Sequence, residues 1–174
     1  MTDTAAQELA ERLVKTMMER DAFSQWLGIE IVNVRPRAAT LRMRVRPDML
    51  NGFGVCHGGV TFALADSALA FASNTHGRVT VSIENSIRYP APVAAGDILT
   101  AVAEQESAGG RLGFFTVTVR KQDDSAVGLF RGTVYMTRRE MAGREDGGGS
   151  GGGARVDDRG SRAADEGARV EGGG

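Results

Sequence analysis

Apolar residues recur at helical spacing over residues 4–20, with Leu9, Leu13 and Met17 in one row, Ala6 and Ala10 beside them, and charged residues between. The spacing predicts an amphipathic N-terminal helix. Phe23, Trp26 and Leu27 come next and are expected to seat it on the body of the protein. Gly28 to Val34 alternates as a strand, and Pro36 separates it from the next one. From Leu41 to Arg46 the alternation is strict, with Leu41, Met43 and Val45 against Arg42, Arg44 and Arg46, so one face is core and the other basic. Gly59 to Asn74 is apolar almost all round, which predicts a buried helix. Longer strands come after it: Val79 to Tyr89 before Pro90 and Pro92, Ile98 to Glu106 running to a hairpin turn at Gly109-Gly110, Leu112 to Lys121, and Ala126 to Thr137. A helix, two strands, a long buried helix and a run of antiparallel strands make an α+β protein, one sheet wrapped on one helix.

Charge and composition narrow the function classes. The 174-residue chain has a net charge of −1, so no global field favours nucleic acid or an acidic membrane surface. Its one cysteine, Cys56, excludes an intrachain disulfide and fits a reducing compartment. The polar N-terminus lacks the basic-then-apolar order of a signal peptide, and no apolar run reaches the roughly 18–20 residues that span a bilayer. A cytoplasmic protein without nucleic-acid or membrane partners is the expectation. Residues 142–174 form a Gly-rich tail in which Val156 and Val170 are the only large apolar residues. Such a segment cannot bury enough surface to offset its ordering entropy and is expected to be disordered. The expected organisation is therefore a helical segment over 1–27, the main domain over 28–141, and the tail.

The run Asn51-Gly52-Phe53-Gly54-Val55-Cys56-His57-Gly58-Gly59 leads into the apolar helix, which carries one acid, Asp66. The first amides of a helix lack intrahelical partners, and the helix dipole favours negative charge beside them. Gly58 and Gly59 would leave those amides open to a carbonyl oxygen becoming an oxyanion, although a plain tight turn also uses Gly. An aspartate in a core is costly unless partnered or used. Asp66 lies eight residues after Gly58, about 12 Å along the helix axis. If both act on one carbon, they must come from two copies of the chain, as an isologous dimer allows. A buried acid satisfied by backbone or by Ser67 is the other reading of Asp66. His57 reads as a base or as a capping residue, Asn51 as an amide facing water or as a turn residue, and His76 as part of the turn after the helix. Cys56 reads as a small buried thiol. Two histidines without carboxylates at ligand spacing point to no metal site.

Met49-Leu50-Asn51-Gly52, Cys56-His57-Gly58-Gly59, Phe62, Leu64-Ala65-Asp66 and Ala68 together resemble the hotdog-fold acyl-CoA thioesterases of the phenylacetic acid degradation (PaaI-type) group. Ile87-Arg88-Tyr89 before prolines, Gly96-Asp97 and Leu129-Phe130-Arg131-Gly132 extend the resemblance, which spans Ala22 to Thr137. It implies a curved antiparallel sheet around a central helix, dimers joined through edge strands, a tetramer built as a dimer of dimers, and no cofactor. It implies Asp66 as nucleophile or general base, Gly58 as the N–H donor to the thioester carbonyl, and Asn51 as an aid to the attacking water. His57 and Gly59 belong to the same substrate-binding turn, and Ser82 falls where some relatives hold water with a hydroxyl. Glu84 and Asn85 stand where less polar residues are expected, which alters the acyl pocket. Pro90-Ala91-Pro92 lacks the family's usual arginine, so Arg88 and Arg131, with Arg111 behind them, are candidates for the coenzyme A phosphates.

The function implied is hydrolysis of an acyl-CoA thioester, with a small aromatic acyl group such as hydroxylated phenylacetyl and a place in phenylacetate catabolism. A hotdog thioesterase for hydroxybenzoyl or medium-chain acyl groups is the alternative among enzymes. A non-catalytic acyl-CoA-binding protein is the alternative outside them, and Asp66 argues against it.

Overall fold

Helix α1 spans Asp3–Arg20, and Thr2 caps it by accepting from the Ala5 N–H. Asp3 in its first turn and Arg20 in its last complement the helix dipole. Its buried row is Ala10, Leu13 and Val14, of which Ala10 and Val14 join the main core. The computed structural model describes residues 2–141; the Gly-rich tail lies outside the described residues. Helix α2, Ala22–Leu27, is capped by Asp21, which accepts from Ser24 N at 2.9 Å, and it ends at Gly28 in the left-handed conformation with φ 74°. Leu27 is buried, but Phe23 and Trp26 are 54% and 61% exposed, which corrects the expectation that all three seat the N-terminal helix. A six-residue helix offers one narrow buried face, and Ser24 and Leu27 occupy it. Phe23 and Trp26 instead stack on each other in solvent, with the Arg46 guanidinium over the indole at 5.4 Å.

The strands are β1 Glu30–Arg35, β2 Ala38–Arg44, then, after helix α3 Gly58–Ser73, β3 Arg78–Arg88, β4 Ile98–Gly109, β5 Leu112–Arg120 and β6 Ala126–Glu140. They form one antiparallel sheet in the order β1-β2-β4-β5-β6-β3, so β3 is an edge strand although it is third in sequence. This is the α+β arrangement expected, a sheet wrapped on one long helix. The helix presents Leu64, Ala65, Ala68, Leu69, Phe71 and Ala72, all essentially inaccessible, to the apolar rows of the strands. Alanines at three of these positions let the sheet approach closely. Asn74 fastens the helix end to β3: its side chain donates to Thr80 O at 3.0 Å and accepts from Thr80 N at 2.8 Å.

One irregularity in β3 decides which of its residues face the helix. Ser82 pairs with Val134 and Glu84 with Thr133, so Ile83 is an extra residue, a β-bulge. Strict alternation would put Ser82 and Asn85 on opposite faces. The bulge puts both on the face turned to α3 and sends Glu84 outward to the Thr133 hydroxyl.

Candidate active site

The loop before α3 is tied on every side. Leu50 and Cys56 bridge, Asn51 N donates to Val55 O at 2.8 Å, Cys56 N to Val93 O at 2.7 Å, and His57 N to Met49 O at 2.9 Å. The Asn51 carboxamide oxygen accepts from Phe53 N at 2.8 Å, so it closes the loop from within. Its Nδ2 donates to nothing among the described residues.

His57 is the N-cap of α3: its Nδ1 accepts from Gly59 N at 2.9 Å, which leaves Nε2 to carry the proton of the neutral ring. The Gly59 amide is thereby occupied. The Gly58 amide is not: among the described residues nothing accepts from it. It stands free at the positive end of a 16-residue helix. Tyr89 fixes this residue from the other side by donating to Gly58 O at 2.9 Å. A Cβ on Gly58 would lie 3.2 Å from the Tyr89 ring, so a larger residue there is accepted only if that side chain gives by a few tenths of an ångström. Beside the free amide is a cavity of about 310 Å³ lined by Cys56, Gly58, Thr61, Tyr89, Pro92 and Val127, among others. Cys56 is buried and burial pushes its thiol pKa up, the opposite of what a nucleophilic thiolate needs.

Asp66 sits two turns further along α3, half-buried. Asn85 Nδ2 donates to its Oδ1 at 2.8 Å, and Ser82 Oγ donates to Asn85 Oδ1 at 2.8 Å. Burial raises the Asp66 pKa above its ordinary value, and the Asn85 amide draws it partly back. Ser67, the neighbour weighed as a partner for Asp66, instead meets Ser24 Oγ at 3.0 Å and docks α2 on α3. Gly58 and Asp66 remain about 12 Å apart by helix geometry. One chain therefore carries a free backbone N–H at the start of the helix and a hydrogen-bonded carboxylate midway along it.

Arg88 and Arg131 come together elsewhere. Ser86 pairs with Arg131 and Arg88 with Leu129, so both arginines lie on the sheet face turned away from α3. They line an open cavity of about 330 Å³ with Thr116, Thr118 and Leu129. The basic row that runs along β2 and just past it is held locally: Arg42 pairs with Glu30 at 2.9 Å, Arg44 donates to Gly96 O, and Arg46, beyond the strand, reaches Asp48 and the carbonyls ending α2. His76 completes the turn after α3, its Nδ1 accepting from Arg78 N at 3.3 Å. Among the described residues no three His, Cys, Asp or Glu side chains gather as a metal site, and no helix is long and apolar enough to cross a membrane.

Residues 53–127 match the thioesterase superfamily. The acyl-coenzyme A thioesterase PaaI of Escherichia coli (strain K12) is 40% identical over 119 residues, covering 68% of this chain and 85% of that protein. The chain belongs to the thioesterase superfamily. It is a thioester hydrolase of the hotdog fold. The solved structure of the E. coli PaaI protein from the phenylacetic acid degradation operon superposes with a TM-score of 0.76 at 34% identity, covering 78% of this chain and 99% of that one. A thioesterase protein from Streptococcus pneumoniae TIGR4, solved with coenzyme A, superposes with a TM-score of 0.67 at 25% identity over 72% of this chain and 98% of that one. Gly58, Asp66, Ser82, Asn85 and Tyr89 all fall inside the family match, while Asn51 and Arg131 fall outside it.

Three residues at the site escaped the sequence reading as site residues. Asn85 stood out only as unexpectedly polar, and Tyr89 and Gly132 only as parts of the resemblance. The signal for Asn85 was that same polarity on a strand flanking the acid-bearing helix.

Proposed function

We propose that the protein hydrolyses acyl-CoA thioesters in sites shared between two copies of the chain. The observation that carries this reading is the free Gly58 amide at the start of α3, with a half-buried carboxylate eight residues on. The Gly58 N–H and the helix dipole polarise the thioester carbonyl of R–CO–S–CoA and stabilise the oxyanion formed on attack. Asp66 of the other copy attacks that carbon or takes a proton from the attacking water. The products are the carboxylic acid and the free thiol, and water supplies the oxygen and the proton. His57 and Gly59 shape the turn that presents Gly58, and Asn51 turns its free Nδ2 toward the attacking water. Similarity to a protein named acyl-coenzyme A thioesterase and to one solved with coenzyme A supports the leaving group.

The edge strand supports the pairing of copies. β3 exposes Val81 and Ile83, 45% and 57% accessible, along an unpaired edge beside Asn85 and Asp66. Such an edge invites a second strand. Two chains joined there bring the Asp66 of one toward the α3 start of the other. Exposed Leu112, Phe114 and Leu129 on the outer sheet face offer the second contact of a dimer of dimers. The acyl group is a small aromatic one of the hydroxylated phenylacetyl kind, seated in the cavity walled by Tyr89, Pro92 and Val127, and the protein works in the cytoplasm in phenylacetate catabolism. Arg88 and Arg131 hold the coenzyme A phosphates. Assay against phenylacetyl-, hydroxyphenylacetyl-, hydroxybenzoyl- and medium-chain acyl-CoA tests the reading. Preference for the phenylacetyl pair supports it, a medium-chain preference overturns the acyl assignment, and binding without turnover of any ester overturns the enzyme reading for this site.

A further inference from the structure

We infer that Asn85, oriented by Ser82 and accommodated by Gly132, is the positioning residue that fixes the Asp66 carboxylate for reaction. The inference rests on Asp66 being the reacting carboxylate. A carboxamide can be turned either way round, and its two ends differ: one donates, the other accepts. Asp66 settles the choice: an ionised carboxylate only accepts, so the amide nitrogen faces it and donates at 2.8 Å. The Ser82 hydroxyl, which can donate, then holds the other end by donating to Asn85 Oδ1 at 2.8 Å. The bulge at Ile83 makes this possible by placing Ser82 and Asn85 on one face three residues apart. Across the sheet Asn85 pairs with Gly132, where a Cβ would fall 2.8 Å from Asn85 Oδ1 and 2.5 Å from Leu69 Cδ2. The absent side chain is the space in which the carboxamide lies.

The arrangement acts on the carboxylate in two ways. One of its oxygens is engaged, so the other is the one presented to substrate or water. The donated hydrogen bond also favours the ionised form against burial. Among the described residues, no acidic or basic side chain is buried on β2, β4, β5 or β6, the strands that pack on α3 with β3. Glu84 of β3 faces outward, and Asp21, the cap of α2, is held by Ser24.

The test compares the full-length wild type with Asn85→Leu, Asn85→Asp, Ser82→Ala, Ser82→Thr and Asp66→Asn. Two readouts are taken: kcat and KM against pH on a turned-over CoA ester, and the ¹³C carboxyl titration of Asp66 by NMR. Asn85→Leu should lower kcat roughly 10- to 100-fold, the range for losing a hydrogen bond to a charged group, with KM little changed. It should also move both the acid limb and the Asp66 titration to higher pH. Asn85→Asp should move them further, because two carboxylates at this distance share one proton. Ser82→Ala, on the exposed strand edge, removes the hydroxyl that holds the amide oxygen, loosens the carboxamide and should give a smaller shift the same way, while Ser82→Thr should restore the wild-type profile. Unchanged kcat and unchanged titration in Asn85→Leu, or in Ser82→Ala should the leucine variant not fold, overturn the positioning role. A titration that moves while the activity profile stays, or an Asp66→Asn chain that keeps full turnover, overturns the reading of Asp66 instead.

Discussion

Gly132 and Asn85 face each other across β6 and β3, and the space that a side chain at 132 would fill is where the Asn85 carboxamide lies on its way to Asp66. This juxtaposition couples a core packing position to the candidate carboxylate. Gly132→Ala should therefore act twice. Its methyl meets Leu69 and Asn85 at sub-contact distances, and overpacking of this kind costs about 1–3 kcal/mol. Thermal unfolding should register that cost. Turnover at the permissive temperature should fall as well, because Asn85 is the softer neighbour. A folded, destabilised variant with wild-type kcat would show that the carboxamide keeps its place despite the methyl.

Asp66→Asn should reduce turnover by roughly 10²–10⁴-fold, the range for a general base. Its effect on stability has the opposite sign from most core changes. The Asp66 pKa is raised in the folded chain, so the fold holds the proton to a higher pH than the unfolded chain does. Stability from this group is therefore fully present at low pH and is lost as pH rises from the ordinary aspartate value through the raised one. The amide escapes that loss. Denaturant melts should find the variant at least as stable as wild type near neutral pH, with the difference vanishing in acid. A loss of stability near pH 7 would mean that the ionised carboxylate holds the fold.

The same raised pKa places the acid limb of activity. With Asp66 as the proposed nucleophile or base, reaction requires its ionised form, so kcat/KM should fall as pH drops through the free-enzyme pKa of Asp66. That limb should lie above the ordinary aspartate value of 3.8. A profile flat to pH 4 would exclude a half-buried aspartate as the group that titrates.

The α+β architecture and every strand of the sheet were legible in the sequence because periodicity reports burial, and here burial tracks the fold closely. Gly58 and Asp66 were legible for the same reason, a glycine pair and an acid being conspicuous on an apolar helix. The Ser82–Asn85–Asp66 chain was not. It depends on a bulge at Ile83, and alternation read straight through a bulge assigns the wrong face. Trp26 and Phe23 misled in the other direction: large aromatic residues read as core, yet a helix as short as α2 buries one side only.

Sharing of sites between chains should appear as complementation. Gly58→Pro removes the N–H at the first helical position, where proline is well accepted, and His57 is already extended as a residue before proline must be. The Tyr89 side chain must give slightly. Paired with Asp66→Ala, each chain alone should be inactive. After exchange in equal amounts, half the dimers are mixed and one of their two sites is whole, so about a quarter of wild-type activity should return. No recovery despite demonstrated exchange would require both groups to act within one chain, against the helix geometry.

At the nucleotide end of the substrate, coenzyme A carries several phosphate charges, and a protein surface that holds them needs Lys or Arg. Arg88 and Arg131 share one outward face across β3 and β6 and line one open cavity, whereas Arg111 is turned to the Tyr135 ring and hydroxyl. The pair at the cavity is thus the better placed of the three candidates. It lies across the sheet from the same chain's Asp66, so the assignment requires the nucleotide to reach the outer face past the ends of the strands rather than through the joined β3 edge. Arg88→Ala and Arg131→Ala should each lower kcat/KM for the full ester several-fold through KM, and leave a truncated thioester lacking the nucleotide unaffected, since that substrate never used the contact. Raising the ionic strength should weaken the wild type toward the variants on the full ester alone. Equal losses on both substrates, or none on either, would place the phosphates elsewhere and leave the two arginines as solvated residues of the outer sheet face.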